Sequence, residues 1–145
     1  MSAKANNLPL RKTDCKAVLE AAGIIPTKQR LDIACAILSR PQHLSADQLL
    51  LLVNANDCNV SKATVYNTLS LFAQKGVVRE VVVDPGRTFY DSNTDEHFHI
   101  YNEDTGTLTD VYSDCLLADA LPGAPDGTVL IGVDVIIRVR NATGA

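Results

Sequence analysis

The sequence predicts an α+β protein: an N-terminal winged helix-turn-helix over residues 1–87, followed by a small α/β unit over residues 88–145 that dimerises. Three patterns carry that prediction. Up to residue 76, apolar residues recur at helical spacing in four successive windows, each closed by proline, glycine or turn residues. From Val77 the period changes to that of strands, with Asp84-Pro85-Gly86-Arg87 as a turn between two β-rich runs. Near its end the chain carries Val129, Ile131, Val133, Val135, Ile137 and Val139, one face of an extended strand at strict period two.

The elements follow in order. Cys15, Val18, Leu19 and Ala22 make one apolar face of a first helix that Gly23 stops. Pro26-Thr27 opens a second, with Leu31, Ala34, Cys35 and Leu38 facing inward and Pro41 as its end. Ser45 caps a third, with Asp47 in its first turn and an apolar stripe of Leu49, Leu52 and Val53. Ser61 caps a fourth that runs to about Lys75, with Val65, Leu69 and Phe72 inward and Gly76 just beyond its end. Val77–Val83 and Thr88–Tyr90 form the hairpin of the wing. Residues 97–102 and 107–112 read as a second strand pair around Glu103-Asp104-Thr105-Gly106, residues 114–120 as a short helix, and Leu121–Gly127 as a loop. A unit of about fifty residues is marginal alone, which is the reason to expect a homodimer.

Charge is divided between the halves. Residues 1–90 hold eleven Lys and Arg against seven Asp and Glu, and residues 91–145 hold two against ten, which gives +4 and −8. The first half is suited to phosphates and the second to cations, although both could be solvated surface. No apolar run has membrane-spanning length and the N-terminus has no secretory h-region, so the expected location is the cytoplasm. Cys15, Cys35, Cys58 and Cys115 are widely spaced thiols with no C-x-x-C pair.

The fourth helix is the candidate groove reader. Thr64, Tyr66 and Asn67 lie in its first half, where helix-turn-helix proteins reach base edges; asparagine can pair bidentately with adenine. Lys12, Lys16, Lys28, Arg30 and Lys62 are candidate phosphate contacts, with Arg79 and Arg87 on the wing. Ordinary solvent-facing lysines would give the same pattern, and some winged helices bind protein instead.

All three histidines can be drawn into one site. His97 and His99 flank Phe98 on a predicted strand, so both imidazoles share a face. Asp91 precedes them and Asp110 lies on the neighbouring strand, giving two nitrogen and two oxygen donors suited to Fe²⁺, Mn²⁺, Co²⁺ or Zn²⁺. His43, at the start of the third helix, would be a fifth ligand. Taken singly, each of these residues has an ordinary surface explanation.

Four segments together change the weighing: Pro26-Thr27-Lys28-Gln29-Arg30, His43-Leu44-Ser45-Ala46-Asp47, Ser61-Lys62-Ala63-Thr64-Val65-Tyr66-Asn67-Thr68-Leu69, and YDSNTDEHFHIYNEDTGTLTD over 90–110. They resemble the ferric uptake regulator family of metal-responsive repressors, over roughly residues 12–140. The His43, Asp91, His97, His99 and Asp110 spacing resembles the regulatory site of its peroxide-responsive branch. The resemblance implies a five-coordinate Fe²⁺ or Mn²⁺ site, with Zn²⁺ able to occupy it in vitro, that locks the DNA-binding regions of a dimer for operator binding. It also implies one-way oxidation of His43 or His97 by peroxide in the iron form. Relatives often bind a structural zinc through C-x-x-C pairs; the equivalent stretch here is Ile100-Tyr101-Asn102-Glu103-Asp104-Thr105-Gly106, so no structural zinc on four cysteines is expected. Asn67 replaces an arginine common in the family. The A-T-V-Y-N-T-L run and the cysteine-free turn also resemble the iron response regulator branch, some members of which answer to haem, but no Cys-Pro haem motif is present.

The resulting expectation is a regulator and not an enzyme, with double-stranded operator DNA as partner, no membrane and no small-molecule substrate. Metal held by Asp91, His97, His99 and Asp110 recruits His43 and closes a hinge near residues 86–92. A mononuclear metalloenzyme on the same ligands would need a general base and a substrate pocket, and no phosphate loop or nucleophile motif appears.

Overall fold

The computed structural model describes residues 12–95, 97–112 and 121–143. It divides into two compact units, residues 1–94 and 95–145. The division falls beyond the boundary expected at residues 87/88, because the strand that begins at Arg87 is the central strand of the first unit's sheet.

In the first unit, α1 (Lys12–Ala21), α2 (Lys28–Leu38), α3 (Ala46–Asn54) and α4 (Lys62–Gln74) are joined by a sheet of β1 (His43–Ser45), β2 (Arg79–Asp84) and β3 (Arg87–Asp91), ordered β1-β3-β2 and antiparallel throughout. Caps explain where the helices start. Thr27 Oγ1 accepts from the Arg30 amide and Ser61 Oγ from the Thr64 amide. Ser45 and Gln48 make a reciprocal capping box, each side chain accepting from the other's backbone N–H. The end of α4 is equally specified. Gly76 sits at φ +76°, the Gly76 amide donates to the Ala73 carbonyl at 3.2 Å and the Val77 amide to Phe72 at 2.9 Å, with Phe72 and Val77 both buried.

The core of this unit takes Cys15 and Leu19 from α1, Leu49 and Val53 from α3, and Val65, Leu69 and Phe72 from α4. Two stripes differ from expectation. In α2 the buried residues are Ile33, Ala34 and Ile37, with Leu31, Cys35 and Leu38 only partly covered. The helix is apolar over so much of its circumference that spacing admits two overlapping faces. In α3 Leu52 is exposed and Ala46 takes its place, completing an i, i+3, i+7 set with Leu49 and Val53.

The second unit is a three-stranded sheet of β4 (Phe98–Asn102), β5 (Thr107–Val111) and β6 (Ile136–Val139), ordered β5-β4-β6. The β4–β5 turn is closed by Asn102, whose Oδ1 accepts from the amides of Asp104 and Thr105, and by Gly106 at φ +71°. β6 runs parallel to β4 and is much shorter than the strand expected from period two: residues 128–135 form no ladder, and Val129 and Ile131 are 84% and 100% exposed. Alternation states which side chains share a face if the chain is extended; a ladder also needs a free edge and a layer to cover it. The helix expected at 114–120 lies outside the described residues.

Candidate metal centre

Strand period is what brings the histidines together. Along β4 the buried positions are His99 and Tyr101, and His97 stands one step earlier on the same side. Their rings meet edge to face with centroids 4.5 Å apart. On β5, Asp110 is the register partner of His99. Its Oδ1 lies 3.2 Å from His97 Nε2 and 3.3 Å from His99 Nε2. The two imidazole side chains are 0% and 5% accessible.

The tautomer of His97 is set by its other nitrogen. Nδ1 lies 2.6 Å from the Asp95 carbonyl, which can only accept, so Nδ1 carries the hydrogen and Nε2 presents a lone pair in the neutral ring. That lone pair faces Asp110 Oδ1, a buried carboxylate oxygen that is itself an acceptor. Asp91, at the end of β3, is fully buried, and its Oδ1 accepts from the Asn93 amide at 2.9 Å. Within the second unit, one ligand atom from each of His97, His99 and Asp110 can be chosen so that all lie within 4.8 Å of one another. A buried carboxylate oxygen between two imidazole nitrogens, one of which in the neutral ring turns a lone pair toward it, is an arrangement that a divalent cation can resolve. The donors are nitrogen and oxygen without thiolate, the set that suits Mn²⁺, Fe²⁺ or Zn²⁺.

His43, like Asp91, belongs to the first unit. It lies on β1 as the register partner of Asp91, edge-on to Phe89 at 6.2 Å. Side chains of directly paired residues in an antiparallel ladder share a face of the sheet, so His43 and Asp91 project from the same side. The hinge expected near residues 86–92 is not where the fold permits one. Residues 87–91 are bonded on both sides as the central strand, and Ser92 is tied to the chain before β1 through Gln42 and Arg40.

The candidate DNA-contacting residues lie in the first unit. On α4, Lys62, Tyr66 and Asn67 are exposed, whereas Thr64 is half-buried with its hydroxyl 2.9 Å from Ser61 Oγ, part of the helix cap. The first turn of α4 carries no acidic residue. Lys62 pairs with Asp47 of α3 at 3.4 Å and lies 5.7 Å above the Tyr66 ring. Lys28 and Arg87 are exposed, Lys16 pairs loosely with Glu20 at 4.0 Å, and Arg30 donates to the Ile25 carbonyl at 2.9 Å, which turns its guanidinium toward its own backbone. Sequence reasoning missed two neighbours of the histidines. The Asp95 carbonyl has no side-chain signature, but Tyr112, whose ring stacks on His97, is two residues from Asp110 and was within reach of the period-two argument.

The ferric uptake regulator family model matches residues 21–120. The peroxide-responsive repressor PerR of Staphylococcus epidermidis is 31% identical over 112 residues, covering 77% of this chain and 75% of that protein. PerR of Staphylococcus aureus is 32% identical over 110 residues, covering 76% and 74%. Among solved structures, the Pseudomonas aeruginosa ferric uptake regulator with manganese matches with a TM-score of 0.68 at 23% identity, over 87% of this chain and 96% of that one. The Vibrio cholerae ferric uptake regulator matches with a TM-score of 0.71 at 22% identity, over 88% and 100%. These two likenesses establish the fold, an N-terminal winged helix followed by a small α/β domain. The chain belongs to the ferric uptake regulator family of metal-responsive transcription regulators, with the character of its peroxide-responsive members.

Proposed function

We propose that this protein is a repressor that binds palindromic operator DNA as a homodimer when Fe²⁺ or Mn²⁺ is held by Asp91, His97, His99 and Asp110, with His43 as fifth ligand. The observation that carries the reading is the donor set around Asp110 Oδ1, a buried oxygen flanked by two imidazole nitrogens, one of which turns a lone pair toward it. When bound, the cation supplies two positive charges and a fixed coordination geometry. His97 is oriented for ligation through Asp95, and His43 stands opposite Asp91 in the β1–β3 ladder, on the same side of that sheet. Because His43 follows directly into α3 through Ser45, its ligation fixes the start of the helix packed against α4. Metal then favours the DNA-competent arrangement by its differential affinity for it.

Lys28, Lys62 and Arg87 serve phosphates, and Tyr66 and Asn67 serve base edges. The exposed apolar run Val129–Ile131 supports self-association, since among the described residues it has no layer over it. Resemblance to PerR extends the reading to peroxide, with His43 and His97 as the residues that take up oxygen in the iron form.

Gel-shift titration of operator DNA against Mn²⁺ and against chelator tests the switch. A coupling of about 1–3 kcal/mol gives a change in DNA affinity of roughly 5- to 150-fold, and equal affinity in both conditions ends the proposal. Mass spectrometry of the Fe²⁺-loaded protein after peroxide tests the sensor: a one-oxygen gain on His43 or His97 is expected.

A further inference from the structure

We propose that Tyr112 is a positioning residue of the metal centre: its ring holds the His97 imidazole in plane and screens it from solvent, and so sets how fast a bound divalent cation is released. The proposal rests on the reading of His97 as a ligand. Tyr112 follows β5 directly and is two residues from Asp110. Its ring stacks on His97 with centroids 5.6 Å apart and planes 29° from parallel.

Exposure separates the two partners sharply. The His97 side chain is 0% accessible, while Tyr112, lying on it, is 68% exposed. The tyrosine is thus the outer layer over an imidazole that the Asp95 carbonyl holds at Nδ1 and that His99 abuts at 4.5 Å. Over a ligand it does two things. It opposes the ring rotation by which His97 would leave a cation, and it covers one face of the imidazole against water.

The test compares the full chain with Tyr112→Ala and Tyr112→Phe. Release of bound Mn²⁺ into excess EDTA is followed by the paramagnetic resonance signal of the chelated ion. Loss of the stacked ring is expected to speed release about 3- to 10-fold in Tyr112→Ala, with Tyr112→Phe within about twofold of wild type. In the metal-free protein, the His97 ring protons are expected to carry an upfield ring-current shift in wild type and Tyr112→Phe that Tyr112→Ala loses. Equal release rates in wild type and Tyr112→Ala overturn the proposal, as does a Tyr112→Phe variant as fast as Tyr112→Ala, which would assign the effect to the hydroxyl. If wild type takes up no Mn²⁺ while the ring-current shift is present, the metal reading itself fails, and the role of Tyr112 fails with it.

Discussion

Replacing Asp110 by asparagine separates a metal centre from a structural polar cluster, because the two readings predict opposite signs. In a structural cluster the carboxylate would be held by donors, and Asp110→Asn would destabilise the fold. Here buried Oδ1 lies 3.2 and 3.3 Å from imidazole nitrogens, one of which presents a lone pair when its ring is neutral. A buried acceptor set against another acceptor costs about 1–3 kcal/mol, and with the side chain 25% accessible the lower end, about 1 kcal/mol, applies. An asparagine of the same shape brings an NH₂ donor to the histidine nitrogens and removes a buried charge. Metal-free Asp110→Asn is therefore expected to be as stable as wild type, or more stable by about 1 kcal/mol. With Mn²⁺ at about 100 times the wild-type Kd, wild type gains about 2.7 kcal/mol by mass action, whereas a variant binding about 100-fold more weakly gains about 0.4 kcal/mol. Urea unfolding followed by circular dichroism, with Mn²⁺ and with chelator, reads both quantities. A metal-free variant destabilised by more than about 1 kcal/mol, or one that keeps the full Mn²⁺ increment, refutes the argument that this oxygen is placed for a cation.

Other consequences can be checked independently. Ser61→Ala removes the cap of α4, and since Ser61 Oγ serves both the Thr64 amide and the Thr64 hydroxyl, a loss of about 1 kcal/mol or somewhat more is expected in thermal unfolding. Asn67→Ala should relax operator sequence preference at one base pair by about 1–3 kcal/mol without changing the salt dependence, whereas Lys28→Ala should weaken all sequences alike and lower the salt slope by about one. Equal effects of the two substitutions on specific and non-specific DNA would remove α4 as the groove reader. Burial, reinforced by the hydrogen bond with Cys35, pushes the Cys15 thiol from its ordinary 9.0 up to about 12. Both folded and unfolded chains keep that proton below pH 9, so its contribution is fully present there. Between pH 9 and 12 only the folded chain keeps it, and stability falls by up to about 1.4 kcal/mol per pH unit. Cys15→Ala should flatten that slope, and in the native protein at about pH 8, below the ordinary thiol range, Cys15 should resist alkylation until unfolding.

Much of the first unit was legible because its boundaries are chemical. Thr27, Ser45 and Ser61 cap as side-chain acceptors must, and Gly23 and Gly76 occupy the positive φ that other residues avoid. β1 was not legible: His43–Ser45 is a strand only because β3 runs beside it, and three residues carry no period of their own. For the same reason period two overstated the last strand, whose ladder with β4 covers Ile136–Val139 and none of the residues before them.

The site was legible for a different reason. His97, His99 and Tyr101 follow one another on the inward side of β4, and Asp110 faces them from β5. An inward face that gives two of three positions to imidazoles, and meets them with a carboxylate, violates the rule by which small sheets bury apolar surface. A unit this small tolerates that violation only if something offsets it. The offset that the donor geometry admits is a positive charge between Nε2, Nε2 and Oδ1, and the sequence pointed there through two histidines at period two, a carboxylate on the neighbouring strand and the family resemblance. Asp91 and His43 obeyed no such logic. Each stands at the end of a strand where a polar residue is ordinary, and only their pairing across β1 and β3 sets them side by side. The ligands proposed in the second unit are therefore written in strand period, while His43, the residue proposed to make the centre a switch, is set opposite Asp91 by sheet register, which a single segment of sequence does not carry.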